Sequence, residues 1–237
     1  MHFLSRTESG GDVFMLGDIP GVLWTPGDTP ATRPLIVVGH GGGQHKQAPG
    51  VVAAARQLIA AGFAVVALDA PHHGDRPKSD DFLRLAAANR ARMQAGDSPD
   101  LAAMHLLLAE QSVTEWRAVV TAVQRLDRVG EGPVGYHGVS MGTGLGIPFV
   151  AAEPRVRAAV LGLLGADGLV EEAARVTVPV RFLVQWDDQL VPRADALALF
   201  DALGSTAKSL HANPGNHGEV PALERDDSVN FLIRRLS

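Results

Sequence analysis

Short apolar runs alternate with longer amphipathic stretches along most of the chain after residue 34. Residues 35–38 and 63–68 are continuous apolar runs, which predict strands buried on both faces of a sheet. Apolar positions at helical spacing predict an amphipathic helix over 112–128. This alternation of strands and helices predicts an α/β fold with a mostly parallel sheet and helices on both faces. The other predicted strands are 134–137, 156–164, 178–185 and 207–212, and the other predicted helices are 51–61, 171–175, 194–202 and 220–236.

Two segments depart from this alternation. Residues 1–25 have short apolar runs at 13–16 and 22–25 among glycines and prolines, which predict antiparallel strands at the edge of the sheet. The connection between the second buried strand and helix 112–128 carries no strand pattern and is longer than usual. We therefore predict a helical insertion at about 77–111, with helices at 80–93 and 100–110, over the carboxyl edge of the sheet where α/β proteins bind ligands.

Composition narrows the class of protein. The 237 residues show no repeat or linker, so we predict one domain over 1–237. A net charge of −5 without any basic cluster argues against nucleic-acid binding. The absence of cysteine excludes disulfides, thiolate metal sites and a cysteine nucleophile. No apolar stretch is long enough to span a bilayer and no signal peptide is recognised, so we expect a cytoplasmic protein without a membrane partner.

The segment Gly138-Val139-Ser140-Met141-Gly142 has the G-x-S-x-G pattern of a nucleophilic serine. Such a serine must project from a tight strand-to-helix turn, and the glycines two residues away on either side let strand and helix approach each other. The pattern follows the predicted strand 134–137 and precedes a segment able to begin a helix. Ser140 is therefore a candidate nucleophile, and the alternative is a glycine-rich turn with a surface serine.

A serine nucleophile needs a general base and an acid that orients the base. Each of the last two predicted strands is followed by a loop with such a residue, in the chain order serine, acid, histidine. The first loop holds Asp187 and Asp188, and the second holds His217 between glycines. Asp188 is preferred because an aspartate followed by two residues and Val-Pro is the usual loop arrangement in such enzymes, but Asp187 stays an alternative. His211 is a rival base, although it lies inside a predicted strand, as a packed structural histidine does.

Attack on a carbonyl also requires backbone N–H groups that stabilise an oxyanion. Met141, directly after the serine and at the start of a predicted helix, can supply one. The second is expected from the His40-Gly41-Gly42-Gly43 loop, which follows the first buried strand. Gly42 is the preferred donor and Gly43 the alternative.

These motifs together resemble the α/β-hydrolase superfamily: the 40–43 loop, the 69–74 segment Asp-Ala-Pro-His-His-Gly, the serine turn, Asp188 and His217. Within it the chain is similar, from about residue 34 to its end, to small bacterial esterases akin to dienelactone hydrolases and to prolyl oligopeptidase catalytic domains. It lacks the cysteine nucleophile of the former and the propeller domain of the latter. The resemblance implies a carboxylesterase-like serine hydrolase that acts on a small-molecule ester through an acyl-enzyme. A small peptidase or amidase, or a catalytically silent binding protein of this fold, remain alternatives.

The other motifs in the sequence do not predict a nucleotide-binding or metal-binding site. Residues 130–135 match G-x-G-x-x-G but enter a strand instead of opening a helix, and the phosphate-loop pattern at 39–46 is incomplete. No second ligand group of metal-binding spacing accompanies segment 72–75, so no metal and no cofactor are predicted. Asp75 and Arg76 are expected to form a local ion pair. Candidate substrate contacts are Gly43, Trp186 beside the acid loop, and the insertion residues Met93 and Met104, whose side chains are adaptable.

Overall fold

A nine-stranded sheet organises the part of the chain that the structure, a computed structural model, describes: residues 1–97 and 99–237. Its strand order is β1-β2-β3-β5-β4-β6-β7-β8-β9. The pairings from β5 to β9 are parallel and those among β1, β2, β3 and β5 are antiparallel, so the predicted mostly parallel sheet is confirmed. The strands are β1 (His2–Arg6), β2 (Asp12–Leu16), β3 (Ile19–Trp24), β4 (Leu35–Gly39), β5 (Ala64–Leu68), β6 (Val134–Gly138), β7 (Val156–Gly162), β8 (Val180–Gln185) and β9 (Lys208–Asn213).

Helices cover both faces of this sheet, as predicted. Apolar side chains of α1 and α7 pack against one face, and those of α3, α4, α5 and α6 pack against the other. The central strands bury side chains on both faces, which explains why their sequences are apolar throughout instead of alternating. The helices are α1 (Pro49–Ala60), α2 (Asp80–Gln94), α3 (Leu101–Gln124), α4 (Met141–Ala152), α5 (Val170–Ala174), α6 (Arg193–Ala202) and α7 (Ala222–Leu236).

The N-terminal region forms three antiparallel strands, where the sequence predicted only two short ones. The two predicted runs correspond to β2 and β3, and β3 joins the parallel strands by pairing with β5. The additional strand, β1, lies at the outer edge and all five of its residues are exposed. Because β1 buries neither face, its sequence carries no alternation of apolar and polar residues from which to predict it.

The two helices predicted on either side of residue 111 are one continuous helix, α3, of 24 residues. The predicted break is wrong because the buried face of the helix continues past residue 111 without interruption. Its members there include His105, Leu108, Ser112 and Glu115, at helical spacing of three or four residues. Three of these four side chains are polar, so hydrophobicity alone could not show that the stripe continues.

The loops that contain the candidate site residues follow the carboxyl ends of five strands. β4, β5, β6, β8 and β9 are parallel neighbours or near neighbours, so the loops that follow them meet at one edge of the sheet. The helices α2 and α3 connect β5 to β6 across this region. Among the described residues, no helix combines the length and the apolar character needed to cross a membrane.

Candidate active site

Ser140 lies at the sharp turn between β6 and α4. Its backbone has φ 57° and ψ −126°, a conformation that non-glycine residues rarely adopt and that is typical of strained functional turns. The two flanking glycines are required by close packing. A Cβ on Gly138 would lie 2.6 Å from the Tyr136 hydroxyl oxygen, and one on Gly142 would lie 2.9 Å from the Gly39 carbonyl oxygen. The predicted reason for glycine at both positions is therefore visible in the packing.

Hydrogen bonds on the buried side of the turn hold Ser140 in this conformation. The Ser140 N–H donates to the Gly162 carbonyl at 2.9 Å, and the Thr143 hydroxyl donates to the same carbonyl at 2.7 Å. The Tyr136 hydroxyl donates to the Gly142 carbonyl at 2.5 Å. Sequence reasoning missed both Tyr136 and Thr143. A signal existed only for Thr143, which is a polar residue in an otherwise apolar helix.

A continuous hydrogen-bonded path joins Ser140 to a carboxylate. The Ser140 Oγ lies 2.8 Å from His217 Nε2, and His217 Nδ1 lies 2.7 Å from Asp188 Oδ2. The other carboxylate oxygen of Asp188 accepts the N–H groups of Leu190 at 2.8 Å and Val191 at 3.0 Å. Burial alone would raise the pKa of Asp188, but His217 and these two amides lower it below the ordinary value. Asp188 is thus an anion and can only accept, so the facing Nδ1 of His217 is the donor of that contact and Nε2 is oriented to accept from Ser140.

The alternative acid and the alternative base, Asp187 and His211, make other contacts. Asp187 is exposed, and its carboxylate accepts the N–H of Gly215 at 3.3 Å. His211 lies in β9, where its Nε2 is 2.9 Å from the Ser209 hydroxyl. The structure therefore brings Asp188 and His217 to the serine, and it brings neither Asp187 nor His211.

Two glutamines that sequence reasoning missed fix the loop that carries His217. Gln189 accepts the backbone N–H of His217 at 2.9 Å. The Gln185 side chain donates to the carbonyls of Pro214 and Asn216, both at 3.2 Å. A signal for Gln185 was present in the sequence, because an amide at the end of an apolar strand is buried and must find hydrogen-bond partners.

The loop after β4 places glycines beside the serine turn. A Cβ on Gly42 would lie 4.0 Å from the Met141 Cβ, so the two predicted oxyanion donors are neighbours. Met141 begins α4, and the N–H of a first helical residue has no acceptor within its own helix. The preceding His40 anchors the loop, since its Nε2 accepts the N–H of Ala70 at 3.0 Å and its Nδ1 lies 2.9 Å from the Gly41 carbonyl. Burial lowers the pKa of His40 to about 4, so the ring is neutral at neutral pH.

An ionic network that is buried except at Asp75 stabilises the same loops, and it corrects one prediction. Lys46 Nζ lies 2.6 Å from carboxylate oxygens of both Asp69 and Asp75. Arg76 forms a two-pronged pair with Glu115 of α3, at 2.5 and 2.7 Å. The predicted pair between Asp75 and Arg76 is therefore wrong, because each residue pairs with a more distant segment. Burial alone would raise the pKa of Asp69, but its hydrogen bonds with Lys46 and the Asp75 amide lower it.

A cavity of about 950 Å³ opens between these loops and helices α2 and α3. Ser140, His217 and Met141 line it together with Gly42 and Gly43. The insertion contributes both predicted methionines and several other apolar side chains, namely Phe82, Leu83, Met93, Leu101 and Met104.

Trp186, a predicted contact, is not among the described residues that line this cavity. The residue is 48% exposed, and the Arg193 guanidinium lies 4.0 Å from the centre of its ring. Nearness to the acid loop along the chain therefore did not translate into nearness to the cavity.

Comparisons with solved structures agree with this architecture. A cold-adapted esterase from an Arctic intertidal metagenomic library is 34% identical over 100% of both chains, with a TM-score of 0.82. Two others are similar in fold alone. Est1E from Butyrivibrio proteoclasticus, solved with ferulic acid, is 18% identical over 94% of this chain and 98% of that one, with a TM-score of 0.69. An acetyl xylan esterase from Paenibacillus sp. R4 is 15% identical over 100% of this chain and 88% of that one, also with a TM-score of 0.69.

No family model matches the chain. No curated protein matches it either. The relationship to the Arctic esterase nevertheless extends over the full length of both proteins at an identity sufficient to show the family. The fold and this relationship lead to one conclusion, that the chain belongs to the α/β-hydrolase superfamily and is a carboxylesterase-like hydrolase.

Proposed function

We propose that the protein hydrolyses small carboxylic esters through an acyl-enzyme formed on Ser140. The observation that carries this proposal is the pair of contacts from Ser140 Oγ to His217 at 2.8 Å and from His217 to Asp188 at 2.7 Å. Such a path lets the imidazole accept the serine proton as the oxygen attacks, while the carboxylate stabilises the imidazolium that forms.

The reaction then proceeds in two balanced halves. Ser140 Oγ bonds to the ester carbonyl carbon and His217 Nε2 takes the hydroxyl proton, which gives a tetrahedral oxyanion. When this intermediate collapses, the bond to the alcohol oxygen breaks and His217 returns the proton to the departing alcohol. Water repeats the sequence on the acyl-enzyme, which releases the carboxylic acid and restores the serine.

The oxyanion is stabilised by the N–H groups of Gly42 and Met141. Gly42 is adjacent to Met141, and the Met141 N–H has no acceptor within α4 because it belongs to the first helical residue, where the helix dipole also favours negative charge. The anchoring of the loop through His40 keeps Gly42 in place before substrate arrives, and preorganised donors contribute most when they need not move.

Helix α2 and the first half of α3 act as a cap over this site, within a single domain. Their apolar side chains, Met93 and Met104 among them, line the cavity above Ser140 and His217. A cavity of about 950 Å³ accommodates a small ester, and its apolar cap favours burial of the acyl or alcohol portion.

The direct test is Ser140→Ala, assayed with p-nitrophenyl butanoate and with a fluorophosphonate probe. We expect the variant to lose labelling and to lose turnover by at least about a thousandfold. Ser209→Ala, which removes an exposed serine of β9, is the matched control and should leave both unchanged. Full turnover in Ser140→Ala would contradict the assigned nucleophile, and an unlabelled, inactive wild-type protein would indicate a silent member of the fold. The p-nitroanilide of butanoic acid, assayed in parallel, tests whether the protein is an amidase.

A further inference from the structure

His105 is a buried histidine of the substrate cavity, and it has no part in the proposed reaction. It lies on α3, is 5% exposed, and lines the same cavity as Ser140. Its Nδ1 is fully buried and has no hydrogen-bond partner in the described part of the chain. Leaving a buried polar group unpaired costs about 1–3 kcal/mol, so an unpaired imidazole at this position needs a physical reason.

The neighbouring helix is shaped around the His105 ring. A Cβ on Gly144 of α4 would lie 2.4 Å from His105 Nε2 and 2.5 Å from its Cδ2, so only glycine leaves room for the imidazole there. Gly144 comes four residues after Ser140, which corresponds to a rise of about 6 Å along the helix. The ring is therefore held roughly one helical turn from the nucleophile.

The surroundings of His105 determine what it can bind. Met104 and Leu101 line the cavity beside it. Burial lowers the pKa of His105 to about 4, and no charge or hydrogen bond from the described residues opposes this shift. The ring is neutral at neutral pH, and a neutral imidazole offers one N–H donor and one acceptor. The described residues include no group of three metal-ligating side chains, so a metal ion does not explain the position.

Because Nδ1 is enclosed by protein, only Nε2 can meet a ligand in the cavity. We propose that His105 is a specificity-determining residue whose Nε2 hydrogen-bonds a polar group of the ester substrate. The favoured substrates carry a carbonyl or hydroxyl oxygen about four to five bonds from the scissile carbonyl carbon, the distance set by one helical turn. The inference rests on the proposed role of Ser140, because that serine fixes the position of the scissile carbonyl. A buried site built for one hydrogen bond discriminates against substrates that lack the partner group, since its own polar atom then stays unpaired.

The test compares matched esters that differ in one polar atom. One arm uses p-nitrophenyl alkanoates in which a carbonyl replaces each methylene in turn from the fourth carbon onward, and a second arm uses acetate esters with the same replacement in the alcohol chain. Each keto ester is compared with its hydrocarbon analogue, after correction for the alkaline hydrolysis rate. We expect the ratio of kcat/KM to peak at one position on one arm, by about threefold to tenfold.

Variants separate recognition from folding. His105→Leu should abolish the peak while hydrolysis of plain butanoate and fluorophosphonate labelling persist, and His105→Gln should restore part of it. Leu108→Met, a change at a fully buried position of the same helix that is not among the described residues lining the cavity, should leave the peak unchanged. We also expect His105→Leu to be at least as stable as the wild type towards urea, because it removes an unpaired polar group. A histidine with a purely structural role would instead destabilise the protein when replaced.

Two results would overturn the inference. One is a flat profile on both arms for the wild-type enzyme, a measurement that needs no variant to fold. The other is a peak that survives in His105→Leu. Either result leaves the proposed function intact as long as the wild type hydrolyses butanoate and Ser140→Ala does not. Failure of the Ser140→Ala test would contradict the reaction itself.

Discussion

The Lys46–Asp69 ion pair supports the loops around the serine, and its removal has a calculable cost. Lys46 Nζ lies 2.6 Å from Asp69 Oδ2, and the two side chains are 3% and 0% exposed. The perturbation is Lys46→Met, which retains much of the buried stem and removes the charge. Within the described part of the chain, the Asp69 carboxylate then keeps two backbone donors, the N–H groups of residue 46 at 2.8 Å and of Asp75 at 3.0 Å.

Two limits bound the loss of free energy of unfolding. Removing one partner of a buried pair costs about 3–5 kcal/mol. The stranded carboxylate can instead bind a proton, and at pH 7 this costs about 4 kcal/mol for an aspartate of ordinary pKa. Because two amides still donate to Asp69, we expect Lys46→Met to lose about 3–4 kcal/mol at pH 7. The matched control is Asp75→Asn, which removes the other ionic contact of Lys46. That carboxylate is 78% exposed, so its loss should cost less than about 1 kcal/mol.

Urea denaturation followed by circular dichroism measures both variants at pH 7 and at pH 4. Without Lys46, burial raises the pKa of Asp69 above its value in the unfolded chain, so the variant gains stability as the pH falls through that raised pKa. The deficit relative to the wild type should therefore shrink towards pH 4. A deficit below about 1 kcal/mol at pH 7, or one that is the same at both pH values, would refute this reasoning.

Three further outcomes are expected. Asp188→Asn should lower kcat on p-nitrophenyl butanoate by about a thousandfold or more, whereas Asp187→Asn should stay within about twofold; equal losses would contradict the assignment of the acid. Gly74→Ala should lower the free energy of unfolding in urea by about 1–3 kcal/mol more than Gly96→Ala, because a Cβ at Gly74 meets the Asp69 carboxyl at 2.2 Å while Gly96, also at positive φ, faces open space. The pKa values of Asp69 and Asp188 are lowered by folding, so their contribution to stability is present above the ordinary value of 3.8 and lost as the pH falls through the lowered values. A pH series of urea midpoints that stays flat below pH 4 would contradict this.

The order of the site along the chain was predictable because it depends on topology. In a parallel sheet the loops after successive strands meet at one edge, so a serine, an acid and a histidine that each follow a strand must come near one another. The sequence favoured Asp188 as the acid but could not exclude Asp187. Adjacent residues occupy the same loop and differ only in the direction of their side chains, and that direction depends on contacts with Gly215 and His217 in another loop.

The ion pairs show the opposite case. Asp75 and Arg76 are adjacent and oppositely charged, so a local pair was the simplest expectation. In the fold Asp75 pairs with Lys46, 29 residues away, and Arg76 pairs with Glu115, 39 residues away. No local pattern in the sequence specifies which distant segment each side chain will meet.

Substrate recognition is the hardest part to predict, for a related reason. Trp186 was expected at the cavity because it lies next to the acid loop along the chain, yet its ring stacks with Arg193 at the surface. His105 gave no signal because it occupies a position in the buried stripe of α3 where an apolar residue would fold equally well. Which side chains touch a substrate depends on how α2 and α3 lie across the edge of the sheet, and neither the motifs nor the hydrophobic pattern encodes that placement.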